Sequence, residues 1–93
     1  VPAERALAIG LVGEVVAVDA LDAAVAALAE TLISGAPQAQ KAAKDLIAAV
    51  TGRPIDDTVS EETAQRIARQ RATDEARDGI TAFLEKRQPA WLL

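Results

Sequence analysis

The sequence contains neither cysteine nor histidine in 93 residues. Without cysteine there is no disulfide framework, no thiolate nucleophile and no cysteine-bound zinc. Without histidine the commonest general base and metal ligand of proteins is missing as well. These absences exclude most catalytic and metal-binding constellations, and we therefore expect no catalytic residue and no metal site within the chain.

Large side chains are also scarce, with one Phe, one Trp and no Tyr or Met. Hydrophobic residues nevertheless make up 51% of the chain, and much of that fraction is alanine. Alanine favours helix but contributes little apolar area when it is buried. Because few large side chains are present to anchor an independent core, we expect the chain to be part of a larger body.

Charge and hydropathy limit the kinds of partner. The formal net charge is -4 and the pI is near 4.7, whereas binding to nucleic acid requires an excess of clustered Lys and Arg. No run approaches the roughly 18 apolar residues of a membrane-spanning helix, and no basic segment precedes an apolar run at the start. The sequence therefore predicts a soluble, cytoplasmic chain without a nucleic-acid or membrane partner.

Apolar residues recur at helical spacing over most of the chain, between residues that commonly begin or end helices. Asp19 and Thr73 are predicted N-caps, Pro37 lies in a first turn, and Gly10 is predicted to take the left-handed conformation that ends a helix. The predicted helices cover residues 2–10, 19–34, 37–50, 55–72 and 73–87.

The last predicted helix carries the chain's single Phe and an interior glycine. Ala76, Ile80, Phe83 and Leu84 lie on its predicted buried side. Glycine inside a helix costs about 1 kcal/mol relative to alanine. The presence of Gly79 therefore predicts that another backbone or a ligand comes close to it.

The stretch LVGEVV, residues 11–16, is the one segment with a strand-like composition. A single strand cannot satisfy its own backbone hydrogen bonds, so we expect it to pair with residues outside this chain or to stay unpaired. The predicted fold class is therefore mainly α, with one short orphan strand near residues 11–16.

Adjacent carboxylates are the remaining candidates for acid–base chemistry. Neighbouring residues on a helix point about 100° apart, so the two members of such a pair do not converge on one substrate atom. Their places near helix starts favour capping and interaction with the helix dipole instead. The pairs are Asp56–Asp57, Glu61–Glu62 and Asp74–Glu75.

Several segments together resemble the C-terminal third of the enoyl-CoA hydratase/isomerase family, the crotonase-like proteins. They are AERALAIGLVGEVV, APQAQKAAKDLI and DEARDGITAFLEKRQPAW, in the order the family has them. The resemblance implies a ββα spiral fold, of which residues 1–18 would be the end of the core and residues 19–93 a helical oligomerisation region. The stretch GRPIDDTVSEETAQRIARQRATDE is similar to the methylglutaconyl-CoA hydratase branch.

The same resemblance implies a function for the whole protein. It would be an acyl-CoA lyase or isomerase, most simply an enoyl-CoA hydratase that adds water to a 2-enoyl-CoA. In the family the catalytic acidic residues and the two backbone N–H groups that hold the thioester oxygen lie upstream. This segment would then be inactive alone and would need the missing N-terminal part of the protein. Coenzyme A is expected only as part of the substrate, without a further cofactor.

The family's C-terminal helices form a trimer, or a dimer of trimers, and lie across the coenzyme A site of a neighbouring subunit. Matching of the motif places Phe83 and Lys86 there, with the ring beside adenine and the ammonium beside a phosphate. Phe83 could instead belong to the core, and Lys86 could be an ordinary solvated helix end. For the whole chain, the alternative is an autonomous helical interaction module without enzymatic activity. Hydratase and isomerase activities are not distinguished by these residues.

Overall fold

The computed structural model describes residues 1–93 and contains only helices and turns, without a β-strand. This confirms the mainly α fold class. No helix in it is both long enough and apolar enough to span a membrane. The α-helices are α1 (Ala3–Ala8), α2 (Leu21–Ser34), α3 (Pro37–Val50), α4 (Asp57–Arg71) and α5 (Asp74–Glu85), with 3₁₀ turns at Val18–Ala20 and Ala90–Leu92.

The segment that was expected to be a strand has no regular secondary structure in this chain. A strand requires hydrogen bonds to a second strand, and the chain contains none to pair with. Pairing of residues 11–16 with a segment outside the chain therefore stays a prediction.

The chain divides into two compact units, Val1–Leu32 and Ile33–Leu93. The boundary predicted at residues 18 and 19, between the end of a core and an oligomerisation region, concerns a different division and stays a prediction. In the first unit Ala6 is the one buried residue. Asp19 lies within the 3₁₀ turn and is not the N-cap of α2, because one tight turn precedes that helix.

The first unit leaves the apolar stripe of α2 uncovered. The four residues that were predicted to share one face of this helix are between 52% and 61% exposed. An amphipathic helix normally buries such a stripe against a core. The α2 stripe consists of Leu21, Val25, Leu28 and Leu32.

In the second unit α3 packs against α4, and α4 packs against α5. Asp56 accepts a hydrogen bond from the backbone N–H of Val59 at 2.9 Å, which caps α4. Thr73 accepts one from the N–H of Ala76 at 3.1 Å and caps α5, as predicted. The buried residues of this unit are Val59 and Ala82, so its core is built on small side chains.

A carboxylate of α5 caps the neighbouring helix α3. Glu75 Oε2 accepts from the backbone N–H of Gln38, and Oε1 accepts from that of Ala39, both at 3.0 Å. The N-cap residue of α3 is Ala36, whose side chain cannot accept a hydrogen bond. Glu75 therefore satisfies two of the four N–H groups that a helix start leaves without partners, and it joins α5 to α3.

The single tryptophan closes the end of the second unit. Its indole Nε1 donates to the carbonyl oxygen of Ser34 at 3.2 Å. A Cβ atom added to Gly79 would lie 2.8 Å from Trp91 Cη2. A close neighbour of Gly79 is therefore present, but the prediction of a backbone or a ligand there is wrong, because the neighbour is the indole side chain of the same chain.

Candidate functional site

The C-terminal half of α5 presents an apolar patch to solvent. Ile80, Phe83 and Leu84, here called the α5 patch, are 49%, 81% and 73% exposed. Their prediction as the buried side of α5 is wrong within this chain, because the covered side of the helix is formed by Ala82 and the half-buried Ala76. Small side chains face the neighbouring elements, where space is limited. The alternative that Phe83 belongs to a core is not observed within this chain, because its side chain is exposed.

Lys86 lies just beyond the end of α5 and not on it. The helix ends at Glu85, and the backbone of Lys86 is left-handed, with φ 55° and ψ 40°. The helix predicted over residues 73–87 therefore ends two residues earlier than expected, and Phe83 and Lys86 do not share it. Arg87 N donates to the Ala82 oxygen at 2.9 Å and Lys86 N donates to the Phe83 oxygen at 3.3 Å. These are the two hydrogen bonds of a Schellman helix end.

The conformation of Lys86 is unusual for a residue with a side chain. Lys86 is the chain's single non-glycine residue with positive φ; the others are Gly10 and Gly52. Helix α1 ends with the same two bonds, and its left-handed residue is Gly10, as predicted. A left-handed conformation costs a residue with a Cβ roughly 1–2 kcal/mol. Such strain concentrates at functional sites.

The side chain of Lys86 is available to a ligand. The residue is exposed and takes part in none of the ion pairs of the chain. It follows the exposed Phe83 by three positions, so a cation and an aromatic face are presented close together in sequence at one helix end.

The segment that follows Lys86 is held by Asp78, from the middle of α5. Asp78 Oδ2 accepts from the backbone N–H of Ala90 at 2.7 Å, and Oδ1 accepts from Arg87 Nη2 at 2.9 Å. The Ala90 N–H and then the Arg87 guanidinium lower the pKa of Asp78 below its usual 3.8. Arg87 Nε also donates to Glu85 at 2.8 Å, and the two carboxylates, Glu85 first, raise the pKa of Arg87.

A groove of about 190 Å³ lies between α3 and α4. Three alanines and Leu46 of α3 form one wall, and Ile67 and Gln70 of α4 form part of the other. Gln70 Nε2 is buried and has no hydrogen-bond partner. Arg66, which also lines the groove, and Arg53 both donate to Glu62, and these hydrogen bonds, that of Arg53 first, lower the pKa of Glu62.

The adjacent carboxylates do not converge. Asp74 pairs with Arg77 at 2.8 Å, whereas Glu75 caps α3. Glu61 accepts from Gln65 while its neighbour Glu62 binds arginines. These four carboxylates therefore each have a local structural partner, and no group of three metal-ligating side chains comes together.

Comparison with known proteins gives a family and a fold. The sequence pattern of the enoyl-CoA hydratase/isomerase family matches residues 1–92. A crystal structure from Legionella pneumophila, described as an enoyl-CoA hydratase/isomerase (crotonase), is 35% identical with a TM-score of 0.90 over 98% of this chain. One from Shewanella pealeana, described as an enoyl-CoA hydratase, is 35% identical with a TM-score of 0.87 over 96%. No match was found among curated proteins.

The match covers a limited share of those two structures. This chain corresponds to 35% of the Legionella chain and 33% of the Shewanella chain. It therefore spans about a third of the length of the solved proteins that it resembles.

Proposed function

The chain belongs to the enoyl-CoA hydratase/isomerase family, and from that membership we propose that it is the C-terminal third of an enzyme that adds water to a 2-enoyl-CoA. In this reaction the water oxygen bonds to the β-carbon and a proton is added to the α-carbon. Two backbone N–H groups upstream would stabilise the charge that develops on the thioester oxygen. The catalytic acidic residues would also lie upstream, and this segment would contribute structure and substrate binding.

The small size of the core supports the part of this proposal that makes the chain one piece of a larger protein. The buried residues are Ala6, Val59 and Ala82, whereas the α2 stripe and the α5 patch are exposed. Contiguous apolar surface of this kind marks an interaction site. We propose that the α2 stripe, together with Ile80 and Leu84 of the α5 patch, packs against the N-terminal part of the same protein and against neighbouring subunits in a trimer or a dimer of trimers.

The groove between α3 and α4 fits the same proposal. Its lining includes the apolar side chains of Leu46 and Ile67, and a segment of the complete protein that fills the groove would bury them. The family match over residues 1–92 does not favour the alternative of an autonomous interaction module.

Phe83 and Lys86 are proposed to form one edge of a coenzyme A site in the adjacent subunit. The exposed ring of Phe83 offers an apolar plate to adenine, and the ammonium group of Lys86 offers a mobile cation to a phosphate. The other left-handed residues of the chain are glycines, and the presence of a lysine in this conformation supports a use for its side chain.

The test of activity compares the complete gene product with the 93-residue chain. Hydration is measured with crotonyl-CoA and with 3-methylglutaconyl-CoA, which also tests membership of the methylglutaconyl-CoA branch. We expect the complete protein to hydrate an enoyl-CoA and the 93-residue chain to show no turnover above buffer. Turnover by the chain alone, or none by the complete protein, would contradict the proposal.

The test of the coenzyme A contact is Lys86→Ala in the complete enzyme. Because the contact is exposed and screened by salt, we expect KM to rise about two- to fivefold with little change in kcat. The rise should be absent with thioesters of 3′-dephospho-CoA. Lys44→Ala is the matched control, since Lys44 is also exposed and forms no ion pair with another residue. Equal discrimination between the two thioesters by wild type and Lys86→Ala would exclude the phosphate contact.

A further inference from the structure

Two separate sets of hydrogen bonds restrain the turn at Lys86. The first set is the Schellman pair, which lies within the turn itself. The second comes from Asp78, whose two carboxylate oxygens accept from Arg87 and Ala90, one and four residues after Lys86. The segment that follows Lys86 is therefore bound to the side chain of Asp78, which lies within α5.

The restraint by Asp78 matters because Lys86 does not favour the conformation that it occupies. At the end of α1 the Schellman bonds act on a glycine, which enters the left-handed region without steric cost. At the end of α5 the same bonds act on a lysine. The two hydrogen bonds that Asp78 accepts from Arg87 and Ala90, here called the Asp78 clamp, are present in addition. Without the Asp78 clamp, the Arg87 side chain would keep only its local partners Glu85 and Gln88, the Ala90 N–H would be released, and the last turn could unwind toward ordinary backbone angles.

Asp78 is well ordered by its contacts, since it forms two short hydrogen bonds and its side chain is largely covered. Both oxygens of Asp78 are used, at 2.9 Å and 2.7 Å, and the Asp78 side chain is 28% exposed. The segment is fixed a second time by Trp91, whose indole lies against Gly79 and donates to Ser34. Asp78 and Gly79 are adjacent on α5, so Arg87, Ala90 and Trp91 all contact the same turn of this helix.

We propose that Asp78 is a positioning residue for substrate binding, which holds Lys86 in its left-handed conformation by clamping Arg87 and Ala90 and thereby directs the ammonium group toward the phosphate of a coenzyme A thioester. The inference rests on the proposed function of Lys86. Asp78 touches no substrate itself. Its effect on the enzyme passes through Lys86.

The experiment is a double-mutant cycle of Asp78→Ala and Lys86→Ala in the complete enzyme, with CoA and 3′-dephospho-CoA thioesters as substrates. Each single variant is expected to raise KM for the CoA thioester about two- to fivefold and to leave kcat unchanged. The double variant is expected to be no worse than Lys86→Ala, because both changes remove the same contact. Discrimination between the two thioesters should fall in all three variants.

Conservative and control variants separate positioning from general structural damage. Asp78→Asn keeps an oxygen that can accept from Ala90 and should restore part of the discrimination; it also serves if Asp78→Ala does not fold. Asp74→Ala changes a carboxylate on the same helix that is 96% exposed and pairs with Arg77, so its discrimination should equal that of wild type.

The outcomes distinguish the two proposals. If Lys86→Ala leaves discrimination unchanged, the proposed contact fails and the role of Asp78 fails with it. If Lys86→Ala lowers discrimination but Asp78→Ala and Asp78→Asn do not, the positioning role alone is overturned. Additive losses in the double variant would also overturn it, because they would show that Asp78 acts independently of Lys86.

Discussion

Lys86 occupies a backbone conformation that this chain otherwise gives to glycine. At a helix end of this type glycine is the stable choice, because it has no Cβ to clash in the left-handed region. A lysine there lowers stability without improving any contact inside the chain. The residue is therefore best explained by what its side chain does outside the chain.

Replacement of Lys86 by glycine should separate stability from binding. Glycine relieves roughly 1–2 kcal/mol of strain but loses roughly 0.5–1 kcal/mol to the greater entropy of its unfolded chain. We expect Lys86→Gly to raise the free energy of unfolding of the complete enzyme by about 0.5–1 kcal/mol while KM for the CoA thioester rises. The measurement is the midpoint of chemical unfolding beside the steady-state constants.

Alanine is the control for this exchange. Lys86→Ala removes the same ammonium group but keeps the Cβ and its strain, so KM should rise as it does for glycine without the gain in stability. Equal stability of the glycine and alanine variants would show that the left-handed conformation carries no strain. Unchanged KM in both would remove the functional explanation for the lysine.

Sequence patterns located the candidate residues but not their geometry. Phe83 and Lys86 could be chosen from a motif, yet the motif does not show that the helix ends between them. Nothing in a lysine favours the left-handed conformation. The partners that stabilise it, Arg87 and Ala90, are bound by a carboxylate nine and twelve residues away. Contacts of that separation depend on the path of the chain after α5, which periodicity does not describe.

Among the helices, α3 depends on a cap that another helix supplies. Glu75 accepts the backbone N–H groups of Gln38 and Ala39, and loss of an N-cap side chain costs about 0.5–2 kcal/mol. Glu75→Ala should therefore destabilise the protein by about that amount. Amide hydrogen exchange should become faster specifically at the start of α3. Both are measured on the complete protein.

A neighbouring carboxylate provides the comparison for Glu75. Asp74→Ala removes an exposed ion pair within the first turn of α5, and surface pairs of this kind contribute about 0–1 kcal/mol. We expect it to leave exchange at residues 38 and 39 unchanged. If both variants accelerate exchange there equally, the capping by Glu75 is not what stabilises the start of α3.

Helix boundaries were predictable where local chemistry sets them. The predicted helix at residues 37–50 is α3 as observed, because Pro37 begins it and TGRP ends it. Thr73 and Asp56 cap α5 and α4 through their own side chains. The prediction of Asp19 as an N-cap was wrong because a 3₁₀ turn precedes α2. The expected burial of the α5 patch was wrong because the periodicity of a helix shows which residues share a face but not whether a partner covers it.

At the scale of the whole molecule, the composition already indicated that this chain can build only a small core of its own. A chain rich in alanine and poor in aromatic residues buries little apolar area per residue. In the structure each unit accordingly has one or two buried residues, while larger apolar side chains remain exposed. Stability of the complete protein should therefore depend on surfaces outside this segment, and substitutions on its exposed apolar faces should act on assembly more than on the segment's own helices.

The α2 stripe gives the most direct test of that dependence. Leu28 is 61% exposed in this chain, so Leu28→Glu should change the helicity of the isolated segment little, as surface substitutions usually do. In the complete protein the stripe is proposed to be covered, where full burial of a leucine is worth about 1.5–3 kcal/mol and burial of an unpaired carboxylate is strongly unfavourable. We expect the variant to lower the oligomer mass or the unfolding temperature of the complete enzyme.

The matched control for this test is Ala26→Glu on the same helix. Ala26 lies between Asp22 and Glu30 on the face that already carries charge, since residues four apart align on a helix. We expect this variant to keep the oligomer mass of wild type, measured by light scattering, with at most a small fall in unfolding temperature, because like charges four residues apart on a helix repel by about 0.2–0.5 kcal/mol per pair. If Leu28→Glu assembles and unfolds as Ala26→Glu does, the α2 stripe faces solvent in the complete protein, and the exposed apolar surface of the segment needs another explanation.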